Sequence, residues 1–192
     1  MTELLRAEKA RIRARRRAGR RALSPIALAE RRARLGRRLS QLVAEQGARS
    51  VSCYLPVANE PDTRDFLSWA QTAGVETLLP SSRADGLLDW VRRTGEETLV
   101  GAFGIPEPLG ERLPPETVGG VDLMLVPACA VDLRGMRLGW GRGYFDRVLG
   151  ALDPRPPVFA VVYEEEVLEL LPEEHHDVPM TGAVTPERVL RF

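Results

Sequence analysis

The chain is expected to fold as one three-layer α/β/α sandwich around a largely parallel sheet. Three observations carry that expectation. Apolar runs that read as buried strands, at 50–55, 121–131 and 158–162, alternate with stretches of helical spacing. A length of 192 residues with 44% hydrophobic content suits a single sizeable core. No internal repeat, low-complexity linker or second-domain boundary interrupts it. A single domain is therefore drawn over 1–192, with basic helices at 3–46 packed on the sheet.

The elements follow in order. Residues 3–22 are dominated by Ala, Leu and Arg, all good helix formers. Ser24-Pro25 is a start signal, an N-cap followed by proline at the first helical position. The second helix should run to about Gln46, with Leu28, Leu35, Leu39 and Leu42 on one stripe. Asp62 or Thr63 can cap a helix whose Phe66, Leu67, Ala70 and Ala73 face inward, with Gly74 as its stop. A short strand at 76–79 should end at Pro80, and another at 87–92 should follow the Asp85-Gly86 turn. The Gly- and Pro-rich stretch 101–115 reads as a long loop of the kind that serves as a lid. After the strand at 158–162, a short helix is expected at 164–170, then an irregular tail at 172–186 and a strand at 189–192.

The formal charge is zero but unevenly placed. Residues 1–40 hold thirteen arginines and Lys9 against Glu3, Glu8 and Glu30. A basic block can mean nucleic acid or an acidic membrane surface. It can also be two solvated helices in a chain that uses Arg almost exclusively, and no aromatic residue is interleaved to stack on bases. The second reading is preferred, so neither nucleic acid nor membrane is expected as a partner. Cys53 and Cys129 lie in apolar stretches and form no Cys-x-x-Cys motif, which suits a reducing compartment. No apolar run approaches a membrane span and no signal-peptide core follows the first residues, so a cytoplasmic monomer is expected.

The run Gly135 to Asp146, Gly-Met-Arg-Leu-Gly-Trp-Gly-Arg-Gly-Tyr-Phe-Asp, carries the most functional information. A buried strand precedes it and helical spacing follows, an arrangement that aims backbone N–H groups at phosphate. Gly139, Gly141 and Gly143 remove side chains that would hold a ligand off the backbone. Arg137 and Arg142 add permanent charge, and Asp146 offers a carboxylate to a bound cation. The spacing matches neither a P-loop nor a dinucleotide fingerprint, and kinase signatures are missing. A tight turn with incidental arginines stays open on spacing alone.

The run resembles the signature of the 5-formyltetrahydrofolate cyclo-ligase family, also called methenyltetrahydrofolate synthetase. Pro127-Ala-Cys-Ala-Val-Asp132 precedes it, and all the glycines and Asp146 fall in register with the family pattern. Trp140 and Phe145 depart from it without removing a charge. The resemblance implies an ATP-binding set of Lys9, Arg13, Arg137, Leu138, Gly139, Trp140, Gly141, Arg142, Gly143, Tyr144 and Phe145. Within it Arg137, Arg142 and Tyr144 are expected to serve the chemistry, and Asp146 to hold Mg2+. It also implies folate contacts from Leu55, Glu60, Phe103, Trp140 and Tyr144, with Glu60 meeting the pterin. Lys9 draws attention independently as the chain's one lysine among arginines. From residues alone Glu60 reads rather as an exposed loop charge with Asp62 as the helix cap, and Phe103 as a loop anchor as readily as a ligand.

Leu170-Leu-Pro-Glu-Glu-His-His-Asp177 resembles a further family element; His176 and Asp177 are read as structural rather than as a zinc set. Four residues on, where the family usually has an Asp that helps hold magnesium, this chain has Thr181. The implied activity is ATP- and Mg2+-dependent cyclisation of 5-formyltetrahydrofolate, possible with polyglutamylated forms, to 5,10-methenyltetrahydrofolate, ADP and phosphate. Two other classes stay open: a non-catalytic folate or nucleotide binder of the same fold, and a nucleic-acid module with steeply salt-dependent binding.

Overall fold

The computed structural model describes residues 3–57, 59–95, 98–101, 105–174 and 178–192. Helices α1 (Glu3–Arg21) and α2 (Pro25–Glu45) come first. β1 (Ser50–Ser52), α3 (Arg64–Thr72), β2 (Glu76–Ser82) and β3 (Leu88–Arg92) follow. Short strands β4 (Thr98–Val100), β5 (Pro106–Pro108) and β6 (Arg112–Leu113) lead to a 3-10 turn at Pro115–Gly120. β7 (Leu123–Pro127), β8 (Ala130–Asp132), β9 (Arg137–Leu138) and α4 (Tyr144–Ala151) frame the glycine run. β10 (Val158–Val161), β11 (Val167–Leu168), β12 (Gly182–Val184) and β13 (Val189–Arg191) come last.

Eight strands form the central sheet in the order β13-β12-β10-β7-β1-β2-β3-β6. The run from β12 to β2 is parallel, and β13, β3 and β6 pair antiparallel at the two edges. Side chains alternate between its faces, as strand geometry requires. Leu123, Leu125, Phe159 and Val161 meet Leu35, Leu39 and Leu42 of α2 and Phe66, Leu67 and Ala70 of α3. Met124, Val126, Val158 and Ala160 meet Val148 and Leu149 of α4. Two apolar layers, one on each face, hold the sandwich together. Gly36 lets α2 and α3 approach closely, since a Cβ there would lie 2.9 Å from the Cβ of Asp65. The expected fold class is what the chain adopts.

A second sheet, β11-β8-β9, carries the approach to the glycine run. Helix α1 covers this sheet: Ile12 packs with Cys129, Ala130, Leu138, Leu171, Trp140 and Leu168. So α2 packs on the central sheet and α1 on the second sheet.

Several boundaries differ from expectation for local reasons. Strand β2 continues through Pro80 to Ser82. The bonds Arg93 N to Thr77 O and Arg83 N to Leu87 O put Pro80 at a non-hydrogen-bonded position opposite Trp90, so its missing N–H costs no bond to β3. The loop expected at 101–115 contains β5, which pairs back on β4 as a ribbon, and edge strand β6. Glu107 ties that ribbon down: buried, it accepts from Ser81 Oγ at 2.7 Å and Ser82 N at 2.9 Å. The helix expected at 164–170 is a 3-10 turn, Glu164–Glu166, followed by β11. There the Glu166 carboxylate accepts from Tyr163 N at 2.8 Å and from Arg20, and β11 pairs with β8 instead of continuing a helix. Ala73 is exposed at the end of α3 rather than inward. Thr63 does not cap α3 through its side chain; Asp62 accepts from Arg64 N at 3.0 Å, while Thr63 Oγ1 donates to Tyr54 O at 2.7 Å.

Candidate active site

Ligands of open α/β sheets gather beyond the carboxyl ends of the strands, and the cavities here follow that rule. Residues just past β1 (Tyr54, Leu55) and in the last residues of β2 (Pro80, Ser82) and β7 (Pro127) line one side of a cavity of about 240 Å³. Its other side is the glycine run: Arg137, Gly139, Trp140, Arg142, Gly143, Tyr144, Phe145 and Asp146. A second cavity, of about 230 Å³, lies between that run and α1, lined by Lys9, Arg13, Arg137, Leu138, Gly139, Gly141, Gly143 and Asp146 among others. Arg137, Gly139, Gly143 and Asp146 belong to both, so the glycine run is a shared wall. A larger cavity of about 500 Å³ on the α2–α3 side shares, among the described residues, only Leu55 and Pro106 with the first and contains no residue of the glycine run.

The local backbone explains the wall. Gly143 is the N-cap of α4 in the left-handed region, with φ 71, so the chain turns into the helix without a side chain over the cavity. Four orphan N–H groups at that helix start are what an anion would meet. Arg147, one turn into α4, donates from Nε to Gly86 O at 2.8 Å and from Nη2 to Arg142 O at 2.9 Å, fixing the loop against β2–β3. Asp146 pairs with Arg137, whose side chain is almost fully buried.

From the other side α1 delivers its cations. Lys9 is 8% exposed, and its Nζ lies 3.0 Å from Glu174 Oε2. Arg13 Nε donates to Gly139 O at 2.8 Å, docking the helix onto the glycine run. Further along, Arg20 makes a buried bidentate pair with Glu166, at 2.6 and 2.8 Å, and donates to Ala128 O. Its guanidinium lies 4.8 Å from the centre of the Trp140 ring.

Glu60 sits in a loop pinned at several points. Tyr54 Oη donates to Pro61 O at 2.8 Å, and Tyr163 Oη donates to Glu60 O at 3.3 Å. The Glu60 carboxylate accepts from Val57 N at 3.1 Å and lines the first cavity. Burial pushes its carboxyl above the usual carboxylate range, while the bond from Val57 and the charge of Arg20 pull it back. The thiols play no part here: burial pushes Cys53 up to about 12 and Cys129 up to about 11, which leaves both protonated and inert.

The structure thus brings Leu55, Glu60, Lys9, Arg13 and every expected residue from Arg137 to Asp146 into two adjoining cavities. Phe103, His176 and Asp177 lie outside the described residues. Thr181 is not part of the site. Its hydroxyl accepts from Val158 N at 3.0 Å where β10 and β12 begin, and it lines neither cavity. Three contributors went unnoticed in the sequence: Arg20, Glu166 and Glu174. The signal for Arg20 was present, since 9, 13, 16 and 20 fall on one helical stripe. All four point inward, Arg16 donating to Glu165 O at 2.5 Å.

A cationic cavity at a helix N-terminus joins a more apolar one, the layout of an α/β enzyme with room for an anionic group beside a second small molecule. The particular family is shown by comparison: the chain belongs to the 5-formyltetrahydrofolate cyclo-ligase family, whose sequence profile matches residues 5–186. It is 40% identical over 145 residues to the 5-formyltetrahydrofolate cyclo-ligase of Mycolicibacterium smegmatis, covering 73% of this chain and 75% of that one. With the Escherichia coli K12 enzyme of the same name it shares 28% over 148 residues, 74% of this chain and 80% of that one. Among solved structures it matches the 5,10-methenyltetrahydrofolate synthetase of Aquifex aeolicus at 32% identity and a TM-score of 0.76, over 95% and 92% of the two chains. The synthetase structure from Mycoplasma pneumoniae, at 19% identity, TM-score 0.75 and coverage of 94% and 99%, shares the fold. The chain is accordingly a ligase of this family.

Proposed function

We propose that the chain couples ATP hydrolysis to closure of 5-formyltetrahydrofolate into 5,10-methenyltetrahydrofolate, releasing ADP and phosphate. The observation that carries this reading is the wall common to both cavities. A nucleotide phosphate between α1 and the glycine run would face a second substrate across a wall made of Gly139, Gly143 and the Arg137–Asp146 pair. Family membership supplies the substrate's chemistry.

The reaction needs placement more than a protein nucleophile. A formamide oxygen is a weak nucleophile and a very poor leaving group. Attack of that oxygen on the γ-phosphorus displaces ADP and leaves an O-phosphorylated imidate. The second folate nitrogen then adds to the activated carbon, and the C–O bond breaks with inorganic phosphate leaving. Lys9, Arg13, Arg137, Arg142 and the loop amides neutralise charge that grows on the transferring phosphoryl group. Leu55, Trp140 and Tyr144 hold the folate ring against it.

Asp146, which lines both cavities, is the residue that would hold Mg2+ once Arg137 is drawn to phosphate. Among the described residues no cluster of three or more His, Cys, Asp or Glu is arranged to hold a metal by itself. One carboxylate suits a cation that arrives on a nucleotide, whose phosphates and water supply the remaining ligands. The bound ion would offset negative charge on the β- and γ-phosphates. The reaction is proposed for a monomer. The two inert thiols fit a reducing compartment such as the cytoplasm. Among the described residues no helix is long and apolar enough to cross a membrane.

The test is ADP release by purified protein given ATP, Mg2+ and 5-formyltetrahydrofolate. Release that requires the folate supports the ligase reaction. Tight binding of both compounds with no folate-dependent ADP favours the non-catalytic binder.

A further inference from the structure

A third cavity, of about 250 Å³, opens behind Glu60 and is lined by Arg17, Arg20, Arg21, Val57, Asn59, Glu60 and Trp140. Val57, Glu60 and Trp140 also line the cavity assigned above to folate, so the two meet at that boundary. The hydrogen-bonding groups there are incompletely used. Arg20 is 4% exposed, and Glu166 and Ala128 O take its Nε and Nη2. Its Nη1 is buried with no hydrogen-bond partner among the described residues. Leaving a guanidinium donor unmet inside a protein is costly, so its persistence points to an acceptor that arrives with a ligand. Glu60, which lines the same cavity, accepts one bond among the described residues, from Val57 N.

A carboxylate acceptor and a guanidinium donor side by side make a specific pattern. A ligand that satisfies both presents an adjacent donor pair flanked by an acceptor. The pterin edge carries that order: the 2-amino group, the N3–H and the 4-oxo oxygen. We propose that Arg20 is a specificity-determining residue, its Nη1 donating to the pterin 4-oxo oxygen while Glu60 accepts from N3–H and the 2-amino group. The proposal rests on the folate reading of the first cavity. Arg20 is well placed for recognition because nothing about it is free to move. Its fork is locked by Glu166, and its flat faces lie against Trp140 at 4.8 Å and Tyr163 at 5.5 Å. A preset donor loses little freedom on binding and discriminates strongly against a ring lacking the oxygen.

The experiment uses 5-formyltetrahydrofolate labelled with 13C at C4, bound to the full-length protein and examined by isotope-edited infrared difference spectroscopy. The bound C4 carbonyl stretch should fall below its position in water, because a fixed charged donor polarises it more than solvent does. Arg20→Met should move the band back up and raise the folate KM about ten- to a hundredfold, the worth of a charge-assisted hydrogen bond. The ATP KM should stay put. Glu166→Gln, which loosens the ion pair but leaves Nη1 in place, should keep most of the band shift. A wild-type band at or above its position in water overturns the proposal whether or not Arg20→Met folds. So does an Arg20→Met protein that folds and keeps the lowered band. Absence of methenyl product from the same wild-type preparation with ATP would instead strike at the underlying folate reading.

Discussion

Lys9→Ala separates the nucleotide role of this residue from its structural one. In the ligand-free chain Lys9 is spent on Glu174 at 3.0 Å, with side chains 10% and 19% exposed. Removing it leaves a largely buried carboxylate without that partner, which should cost about 1–3 kcal/mol in denaturant unfolding. The nucleotide effect is a second, independent loss. A charge-assisted bond from an ammonium to phosphate is worth about 1.5–3 kcal/mol, so the ATP KM should rise about ten- to a hundredfold. Lys9→Arg should restore only part of it, since a planar fork replaces a compact charge in a cavity of about 230 Å³. Glu174→Gln divides the two effects: it removes the ion pair yet leaves the ammonium for phosphate. Its ATP KM should stay level or fall. Combined with Lys9→Ala it should recover stability without recovering ATP affinity. Steady-state kinetics with ATP varied at saturating folate, alongside urea unfolding, gives both numbers. A folded Lys9→Ala protein with an unchanged ATP KM would refute the assignment.

Three further outcomes follow from named geometry. Burial raises the Glu60 carboxyl, so the ionised form needed by the pterin is lost as pH falls through a value above the ordinary carboxylate range. The acid limb of kcat/KM for folate should lie correspondingly high, and Glu60→Gln should show weak folate use with no such limb. Asp146→Asn should lower kcat about a hundredfold and shift the Mg2+ titration to higher concentration; near-normal turnover would mean Asp146 only caps α4. Asp132 is buried and accepts from Arg134 N, Met136 N and Leu171 N at 2.9, 3.0 and 2.9 Å. Burial opposes its ionisation, but these bonds and Arg134 outweigh it and hold the carboxyl below its usual value. Its stabilising effect is therefore full above the unfolded-state pKa of about 3.9 and is lost as pH falls through the lower folded value. Asp132→Asn should cost about 2–3 kcal/mol in urea at neutral pH, and stability unchanged would show the turn holds without the charge.

Much of this architecture was legible because its causes are local. The continuous apolar runs of β7 and β10 and the helical spacing of α2 and α3 reappear in the fold, Ala73 apart, and the glycine run announces its own turn. What the sequence hid depends on partners far along the chain. Arg20 is one arginine among thirteen in the first 40 residues until Glu166 meets it across 146 positions. The same contact converts Glu164–Glu166 from the expected helix into a turn. Glu107 reads as loop charge, yet Ser81 and Ser82 bury it and order the β4–β5 ribbon. Thr181 was weighed as a lost metal ligand, whereas its hydroxyl is a ladder contact to Val158 N. Position in a motif carried no information about which end of a strand the residue would occupy.

The central claim is that the formyl oxygen attacks the γ-phosphate, so one bond history decides it. The substrate is prepared with 18O in the formyl group and converted in a single turnover by excess protein with ATP and Mg2+. Phosphate recovered from that turnover should carry one 18O atom per methenyltetrahydrofolate formed, with none in ADP. Unlabelled phosphate accompanying labelled water would contradict the account, because ATP would then have been cleaved apart from the carbon it is meant to activate.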